Sequence, residues 1–231
     1  MNVFYLQKIS DPLISPVDHE ITEGFDKLLK FFIQKGSCTL ELDTKKQFYD
    51  LRFAMMLWSS GLHDSTNSNY LTLLAGGDRS KINCTWEMLK TMLGINNRYT
   101  FPILFSAMTE ELGLTSGEIN KEENLKCLEK LKAKLHKLLD KNGCLIMPGL
   151  PEVAPKHNQD ILKMFHLSYT FPWNVLNVAV TSVPLGLDRH GMPYGVQVIV
   201  SPGNDNLSIQ IAEELEKHFG GWTPPCPVEI F

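Results

Sequence analysis

The sequence predicts an α/β fold with a mixed, mostly parallel sheet covered by helices. Two observations carry this prediction. Short apolar runs rich in β-branched residues alternate with stretches whose apolar residues recur every three or four positions, as on one face of a helix. In the N-terminal part the order is strand, helix, strand, helix, which is typical of parallel strands joined by helical crossovers. We therefore expect helices packed in layers on a central sheet.

The first predicted unit is a strand, a helix and a second strand. Val3-Phe4-Tyr5-Leu6 is a short apolar run that suits a strand from the middle of a larger sheet. Ser15 and Pro16 form a helix-start pattern, with serine as the N-cap and proline at the first helical position. The apolar stripe that follows ends at Gly36, and Cys38 to Leu42 alternates as a short strand does.

The middle of the chain is predicted to be mainly helical. Apolar residues at helical spacing predict four helices, over 45–58, 86–93, 101–112 and 121–141. Ser59-Ser60-Gly61 is expected to end the first helix, and His63 to Asn69 is expected to be an exposed loop. Asn142-Gly143 is expected to cap the last helix. The third helix is unusually apolar, which is typical of a core helix and also fits one that faces lipid or substrate.

The C-terminal part contains three predicted strands and a covering helix. Cys144 to Pro148 is predicted to be a buried strand. Val178 to Leu187 and Gly195 to Val200 are predicted to be neighbouring strands, because a turn signal separates these two apolar runs. A helix from Leu207 to Phe219, with Asn206 as its N-cap, is expected to pack across both strands.

Several motifs in this part resemble the C-terminal signature of the amidase signature family. They are Ala154-Pro155-Lys156-His157, Pro184-Leu185-Gly186-Leu187, Gly191-Met192-Pro193-Tyr194-Gly195-Val196-Gln197, the helix from Asn204 to Glu216, and Phe219-Gly220-Gly221-Trp222. Within that family the chain is similar to the animal fatty-acid amide hydrolases of the second type. The likeness extends over nearly the whole chain and is most specific in the C-terminal third, so residues 1–231 are expected to form a single partial amidase domain.

The resemblance implies amide hydrolysis by a triad of Lys, cis-Ser and Ser, whose serines lie in a Gly-Gly-Ser-Ser-Gly-Gly type stretch. This chain contains no such stretch. Its only serine pair, Ser59-Ser60, lies at a predicted helix end, and Ser182 lies in a predicted strand, so neither is expected to be the nucleophile. We therefore expect a C-terminal portion of an amide-bond hydrolase that supplies sheet and a wall of the acyl pocket and is inactive alone.

Two other hypotheses stay open at this point. The chain could be a non-catalytic fragment that binds acyl lipids or an amidase partner, or a purely structural fragment with no function of its own. In the complete enzyme the resemblance implies a fatty-acid amide or a similar acyl substrate.

The predicted substrate-binding residues lie in two segments. In open α/β sheets ligands lie beyond the carboxyl ends of parallel strands, so the loop from Gly149 to Asn158 is expected to line a site. The resemblance implies that this loop and the segment from Tyr169 to Asn174 line the acyl pocket opposite the nucleophile. An aromatic cluster that merely fixes a loop to the core would have the same sequence pattern. The predicted residues are Met147, Pro148, His157, Tyr169, Phe171, Trp173 and Asn174.

Charge and motif content argue against two other classes of protein. The net charge is −4 and the sequence has no basic run, so nucleic-acid binding is not expected. His19-Glu20 begins like the zinc motif His-Glu-x-x-His, but Glu23 occupies the position of the second histidine. We expect neither a metal site nor a cofactor.

Cysteine content and hydropathy bear on the compartment. Five scattered cysteines without a Cys-x-x-Cys pair predict free thiols in a reducing, intracellular compartment. No apolar run approaches the roughly 20 residues that span a bilayer, although membrane association of a longer form stays open. A sheet cut from a larger one exposes strand edges, which favours homo-oligomers or aggregates.

Overall fold

The computed structural model describes residues 1–43, 48–66, 72–73, 75–78, 82–95, 99–111, 120–156 and 159–224. At its centre lies a five-stranded sheet with the strand order β2-β1-β3-β5-β4. The strands are β1 (Asn2–Tyr5), β2 (Cys38–Glu41), β3 (Gly143–Pro148), β4 (Ala179–Leu187) and β5 (Pro193–Val200).

Four of the strands in this sheet run in the same direction. Strand β1 pairs in parallel with β2 and β3, whereas β5 is antiparallel to both β3 and β4. Val3 lies opposite Thr39 on one side and Cys144 on the other, so the first strand lies inside the sheet as its abrupt apolar start predicts. The prediction of a mixed, mostly parallel sheet is confirmed.

Helices cover both faces of the sheet. The described residues form seven α-helices: α1 (His19–Gln34), α2 (Ala54–Thr66), α3 (Cys84–Met92), α4 (Phe101–Glu111), α5 (Lys121–Leu139), α6 (Phe171–Val175) and α7 (Asp205–Phe219). Two 3-10 helices, Tyr49–Phe53 and Asp160–Tyr169, precede α2 and α6.

Each face of the sheet has its own apolar core. Helices α1 and α7 pack on one face, around Phe25, Leu28, Ile146, Val198 and Leu215. Helices α2, α5 and α6 pack on the other face, around Leu57, Leu135, Leu145, Trp173 and Ile199. Because successive side chains of a strand point to opposite faces, neighbours in β3 and β5 contribute to different cores.

The hairpin of β4 and β5 and its covering helix are confirmed. The Asp188 carboxylate accepts hydrogen bonds from the backbone N–H groups of Met192 and His190, both at 2.8 Å, which hold the connecting turn. Those N–H groups, that of Met192 first, lower the pKa of Asp188. On the covering helix, Thr181 Oγ1 donates to Ser208 Oγ at 2.8 Å and fixes α7 against β4.

Two helix starts differ from their predictions. Helix α7 begins at Asp205, with Asn204 rather than Asn206 at the N-cap position, and the Asn204 amide reaches the carbonyl of Lys141 at 3.1 Å. Helix α1 begins at His19 with Asp18 as its N-cap, so the prediction of Ser15 as N-cap is wrong. Ser15 instead turns its backbone N–H towards a histidine 151 positions later in the chain.

Helix α2 continues through Ser59-Ser60-Gly61 to Thr66, so the predicted termination there is wrong. At Gly61 an added Cβ would lie 2.9 Å from Val175 Cγ1, and the glycine therefore allows close packing against α6. His63 to Thr66 are helical rather than a loop, while 67–69 and 45–47 lie outside the described residues.

Helix α5 ends at Leu139, two residues before the predicted end, and Asp140 adopts a positive φ of 42° at its C-terminus. Gly143 is the first residue of β3 rather than part of a cap. A Cβ at Gly143 would lie 2.3 Å from the Leu139 carbonyl oxygen, so the glycine is required where the chain turns back into the sheet.

Candidate functional site

The two predicted pocket segments meet at one buried side chain of β5, Gln197. Its Nε2 lies 3.1 Å from the carbonyl oxygen of Tyr169 and 3.3 Å from those of Pro148 and Gly149. Gln197 is 7% exposed. An amide NH₂ carries two hydrogens, so the three carbonyl groups share two donors. A single amide therefore fixes the end of β3 to the start of the segment from Tyr169 to Asn174, the aromatic segment.

Tyr169 and Trp173 form a buried, hydrogen-bonded pair below this amide. Tyr169 Oη accepts the backbone N–H of Ile9 at 3.1 Å, and the Tyr169 carbonyl accepts from Trp173 Nε1 at 2.6 Å. Burial raises the pKa of Tyr169, and the bond from Ile9 opposes that shift. Tyr169, Trp173 and Met147 all belong to the core on the α5 side of the sheet. These three predicted residues share one buried cluster, which is the base of the candidate site.

Phe171 and Asn174 lie nearer the surface. Phe171 is half-buried and stacks on Trp58 of α2, with ring centroids 4.5 Å apart and an interplanar angle of 23°. Asn174 is exposed. The stacked pair presents an apolar surface that α2 and α6 build together, above the buried base of Tyr169 and Trp173.

Pro148 points away from the other predicted residues. It lies one position after Met147 in β3 and therefore on the opposite face of the sheet. There it lines a cavity of about 220 Å³ together with Phe25 of α1. The following loop leaves the sheet with Pro151 buried and residues 154–156 exposed. His157 lies outside the described residues.

A further histidine, which the sequence did not single out, fixes the segment that follows β1. His166 is buried, and its Nε2 lies 3.3 Å from the Ser15 backbone N and 3.1 Å from Ser15 Oγ. Burial and then the Lys163 ammonium lower the pKa of His166, while Asp18 opposes them. The imidazole is therefore held in its neutral form, with Nε2 accepting the Ser15 N–H. One turn earlier, Lys163 forms an ion pair with Glu152 of the loop after β3.

The serines considered as nucleophiles lie in helix α2 and in strand β4. Ser60 is fully buried, and its Oγ accepts a hydrogen bond from Asn124 Nδ2 at 2.9 Å. Ser182 is exposed on β4. Its neighbour Thr181 bonds Ser208 of α7, as described above. The Ser60 contact connects α2 to α5 and accounts for that serine as part of the packing, whereas the contact to α7 belongs to Thr181 and not to Ser182.

Three residues of the site were missed in the sequence for identifiable reasons. Gln197 is a polar residue between Val196 and Val198 in a buried strand. This polar side chain within an apolar run was the one feature of the sequence that could have indicated its role. Trp58 is the last residue of the helix predicted over 45–58, although its ring pairs with that of Phe171, 113 positions later. His166 carried no local pattern, because its partner Ser15 is distant in the chain.

Two further properties of the described residues concern membrane-spanning helices and cysteine thiols. No helix among them is both long and apolar enough to cross a membrane. Cys38, Cys84, Cys127 and Cys144 form no disulfide with one another, and burial raises the pKa of Cys144 to about 12.

Curated relatives are similar to most of this chain. Fatty-acid amide hydrolase 2 of Homo sapiens is 34% identical over 193 residues, which are 83% of this chain and 35% of the relative. Fatty-acid amide hydrolase 2-B of Danio rerio is 31% identical over 219 residues, which are 93% of this chain and 40% of the relative. The chain thus spans between a third and two-fifths of the length of these relatives. No family model matches the sequence.

Solved structures show the same fold. The allophanate hydrolase of Kluyveromyces lactis has a TM-score of 0.61 at 14% identity, over 94% of this chain and 32% of the other. A bacterial aryl acylamidase of the amidase signature family has a TM-score of 0.59 at 15% identity, over 94% of this chain and 43% of the other. The chain is therefore similar to fatty-acid amide hydrolase 2 over most of its own length, and it shares the fold of amidase signature enzymes over less than half of theirs.

Proposed function

We propose that this chain is a supporting segment of an amide-bond hydrolase, which supplies part of the sheet and one wall of an acyl pocket. The substrate we propose is a fatty-acid amide or a similar acyl compound, in keeping with the names of the relatives. The observation that carries the proposal is the Gln197 amide, which joins the loop after β3 to the segment that presents Phe171. Both segments were predicted to line that pocket.

The aromatic pair of Phe171 and Trp58 supplies the acyl-binding surface in this proposal. Two stacked, half-buried rings offer a flat apolar area at the surface, and each methylene group buried against such an area contributes about 0.8 kcal/mol. The buried base below the rings limits their movement, because Trp173 is bonded to Tyr169 and Tyr169 to Gln197. A rigid wall loses little conformational entropy when an acyl chain binds.

We further propose that the catalytic nucleophile comes from outside this chain. Amide hydrolysis requires a nucleophile within hydrogen-bond reach of an activating base. The sequence lacks the serine stretch of the family's triad. The fully buried Ser60 lies between α2 and α5, where its Oγ accepts a hydrogen bond from Asn124 and is not accessible to a substrate. In a complete hydrolase, the lysine and both serines would then face this wall from the remainder of the fold.

A chimeric enzyme tests the proposed wall. This chain would replace its matching segment in the Homo sapiens relative, and hydrolysis of amides with acyl chains of different length would be measured. We expect Phe171→Ala and Trp58→Ala to change the ratio of kcat/KM values between long and short acyl chains. The control is Phe53→Ala, because Phe53 pairs with Tyr49 in an exposed aromatic contact elsewhere. Unchanged ratios in both test variants, with activity retained, would refute the wall.

A second candidate function is the binding of acyl lipids without hydrolysis. One observation favours it: helix α3 and the residues after it expose an apolar surface, at Trp86, Leu89, Met92, Leu93 and Ile95. Co-sedimentation with phosphatidylcholine vesicles tests it. If the surface is used, the unchanged chain should bind the vesicles and the Trp86→Ser, Met92→Ser double variant should not. Failure of the unchanged chain to bind would exclude this candidate.

A further inference from the structure

The cavity beside Pro148 lies on the face of the sheet opposite Tyr169 and Trp173. It sits at the carboxyl ends of β1 and β3, where ligands bind in open α/β sheets. Its volume is about 220 Å³, and it is lined by Gln7, Lys8, Pro16, Val17, Thr22, Phe25 and Pro148. Apart from Pro148, none of these residues belongs to the proposed acyl wall.

Most of the cavity wall is apolar. Phe25 is 1% exposed and closes the inner end, and Pro148 is buried beside it. Pro16 and Val17 form the side that leads into α1. A cavity of about 150 Å³ in a protein core holds one benzene molecule, and pockets for drug-sized ligands begin at about 300 Å³. The cavity therefore suits one ring or a short acyl chain.

The entrance of the cavity carries one cation. Lys8 is exposed and, within the described ranges, makes no ion pair or hydrogen bond. Next to it, the Gln7 amide donates to the Asp26 carboxylate at 3.0 Å, which leaves a second N–H for another acceptor. The Thr22 hydroxyl donates to the Asp18 carbonyl at 3.0 Å. Two donors, one of them charged, thus border an apolar interior.

The side formed by Pro16 and Val17 is fixed from both ends. Before it, Ser15 is bonded to His166 through its backbone N–H and its hydroxyl. After it, the Asp18 N–H donates to the Pro151 carbonyl at 2.8 Å. Because these bonds hold Pro16 and Val17 in place without a ligand, the cavity is already formed. Little conformational entropy is therefore lost when a ligand binds.

From these features we infer that the cavity binds a small monocarboxylate with a tail of one ring or a short alkyl chain. The carboxylate pairs with the Lys8 ammonium and accepts from Gln7, while the tail packs on Phe25, Val17 and Pro148. A fully hydrated inorganic anion would gain nothing from the apolar interior, and a neutral amide could accept a hydrogen bond from the ammonium but would lack the ion pair. This site is distinct from the acyl wall and does not rest on it.

Equilibrium dialysis of the whole chain with radiolabelled hexanoate tests the site, since dialysis reads binding whatever the state of assembly. We expect saturable binding that benzoate competes away and that hexanamide and inorganic phosphate do not. Lys8→Met should weaken hexanoate binding about fivefold, as loss of one partly exposed ion pair implies, and Lys8→Arg should retain it. Lys30→Met, which removes another exposed lysine from α1, should leave it unchanged.

Filling the cavity gives an independent variant. Val17→Phe should abolish hexanoate binding while the thermal unfolding transition stays that of the unchanged chain, and Thr22→Leu serves if Val17→Phe fails to fold. The inference is overturned if hexanoate does not bind saturably, if hexanamide competes equally well, or if Lys8→Met binds as the parent does. Retained binding in a folded cavity-filled variant would also overturn it.

Discussion

Gln197 donates a hydrogen bond to the carbonyl oxygen of Tyr169 across the interior, over 3.1 Å and 28 positions of sequence. The same amide nitrogen lies within 3.3 Å of the carbonyls of Pro148 and Gly149. Buried carbonyl groups that lose their donor retain the full cost of leaving water. The position of the aromatic segment relative to β3 therefore depends on this one side chain.

Replacement of Gln197 by leucine is expected to lower the free energy of unfolding by about 2 kcal/mol, because the carbonyls of Pro148 and Gly149 lose this donor while that of Tyr169 keeps Trp173 Nε1. Urea denaturation followed by circular dichroism measures the change. Gln210→Leu is the matched control, because Gln210 is exposed on α7. Equal unfolding midpoints for the two variants would contradict the role assigned to Gln197.

His166 is expected to make stability depend on pH. Its pKa in the folded chain is lowered, so the unfolded chain binds a proton more readily. The stabilisation is complete above the unfolded pKa of about 6.5 and is lost as the pH falls through that value towards the folded pKa. Unfolding free energies measured between about pH 7.5 and 5 should fall more steeply for the parent than for His166→Asn. The exposed His19 provides the control variant His19→Asn, which should follow the parent, and equal slopes for all three chains would refute the assignment.

Gly61 gives a test in which two effects have opposite signs. In a helix interior, alanine is favoured over glycine by about 1 kcal/mol. At this position an added Cβ would lie 2.9 Å from Val175 Cγ1 and 3.2 Å from Leu128 Cδ2. We expect the clash to prevail, so that Gly61→Ala destabilises the chain in a thermal unfolding experiment. Addition of Val175→Ala should recover part of the loss, and a stabilised Gly61→Ala chain would contradict the close packing of α2 on α6.

The sheet edges are expected to cause self-association of the isolated chain. In the described part of the structure β2 and β4 each pair on one side only, and they expose Leu40 at 53% and Val180 at 39%. Unpaired edges with apolar side chains promote association, and charges on them oppose it. Light scattering after gel filtration should therefore show oligomers that Leu40→Lys with Val180→Lys reduces. Leu13→Lys, at an exposed leucine away from the strands, is the control, and a monomeric parent chain would refute the expectation.

The sheet and its covering helices could be predicted from the sequence because their signals are local. The apolar runs of β3, β4 and β5 and the stripe of α7 each lie within fewer than 20 residues. The start of α1 could not be predicted, since Ser15 is a good N-cap by type but bonds His166 instead. The continuation of α2 through Gly61 could not be predicted either, because the contact that requires glycine comes from Val175, which is distant in the sequence.

The candidate site could likewise be predicted from the sequence only in part. The two segments that line it were predicted from strand ends and from the family resemblance, but the residue that joins them was not. Gln197 interrupts an apolar strand, and only its three distant carbonyl partners explain why a polar side chain is buried there. Met147 and Pro148 were assigned to one pocket, whereas strand alternation places them on opposite faces of the sheet.

The central claim, that the nucleophile lies outside this chain, is tested most directly with a fluorophosphonate probe. The 231-residue chain would be incubated with excess probe beside active Homo sapiens fatty-acid amide hydrolase 2, and labelling would be quantified by mass spectrometry of the intact proteins. We expect the active relative to be labelled and the chain to keep its unmodified mass. Stoichiometric labelling of the chain, mapped to Ser59, Ser60 or Ser182, would contradict the account.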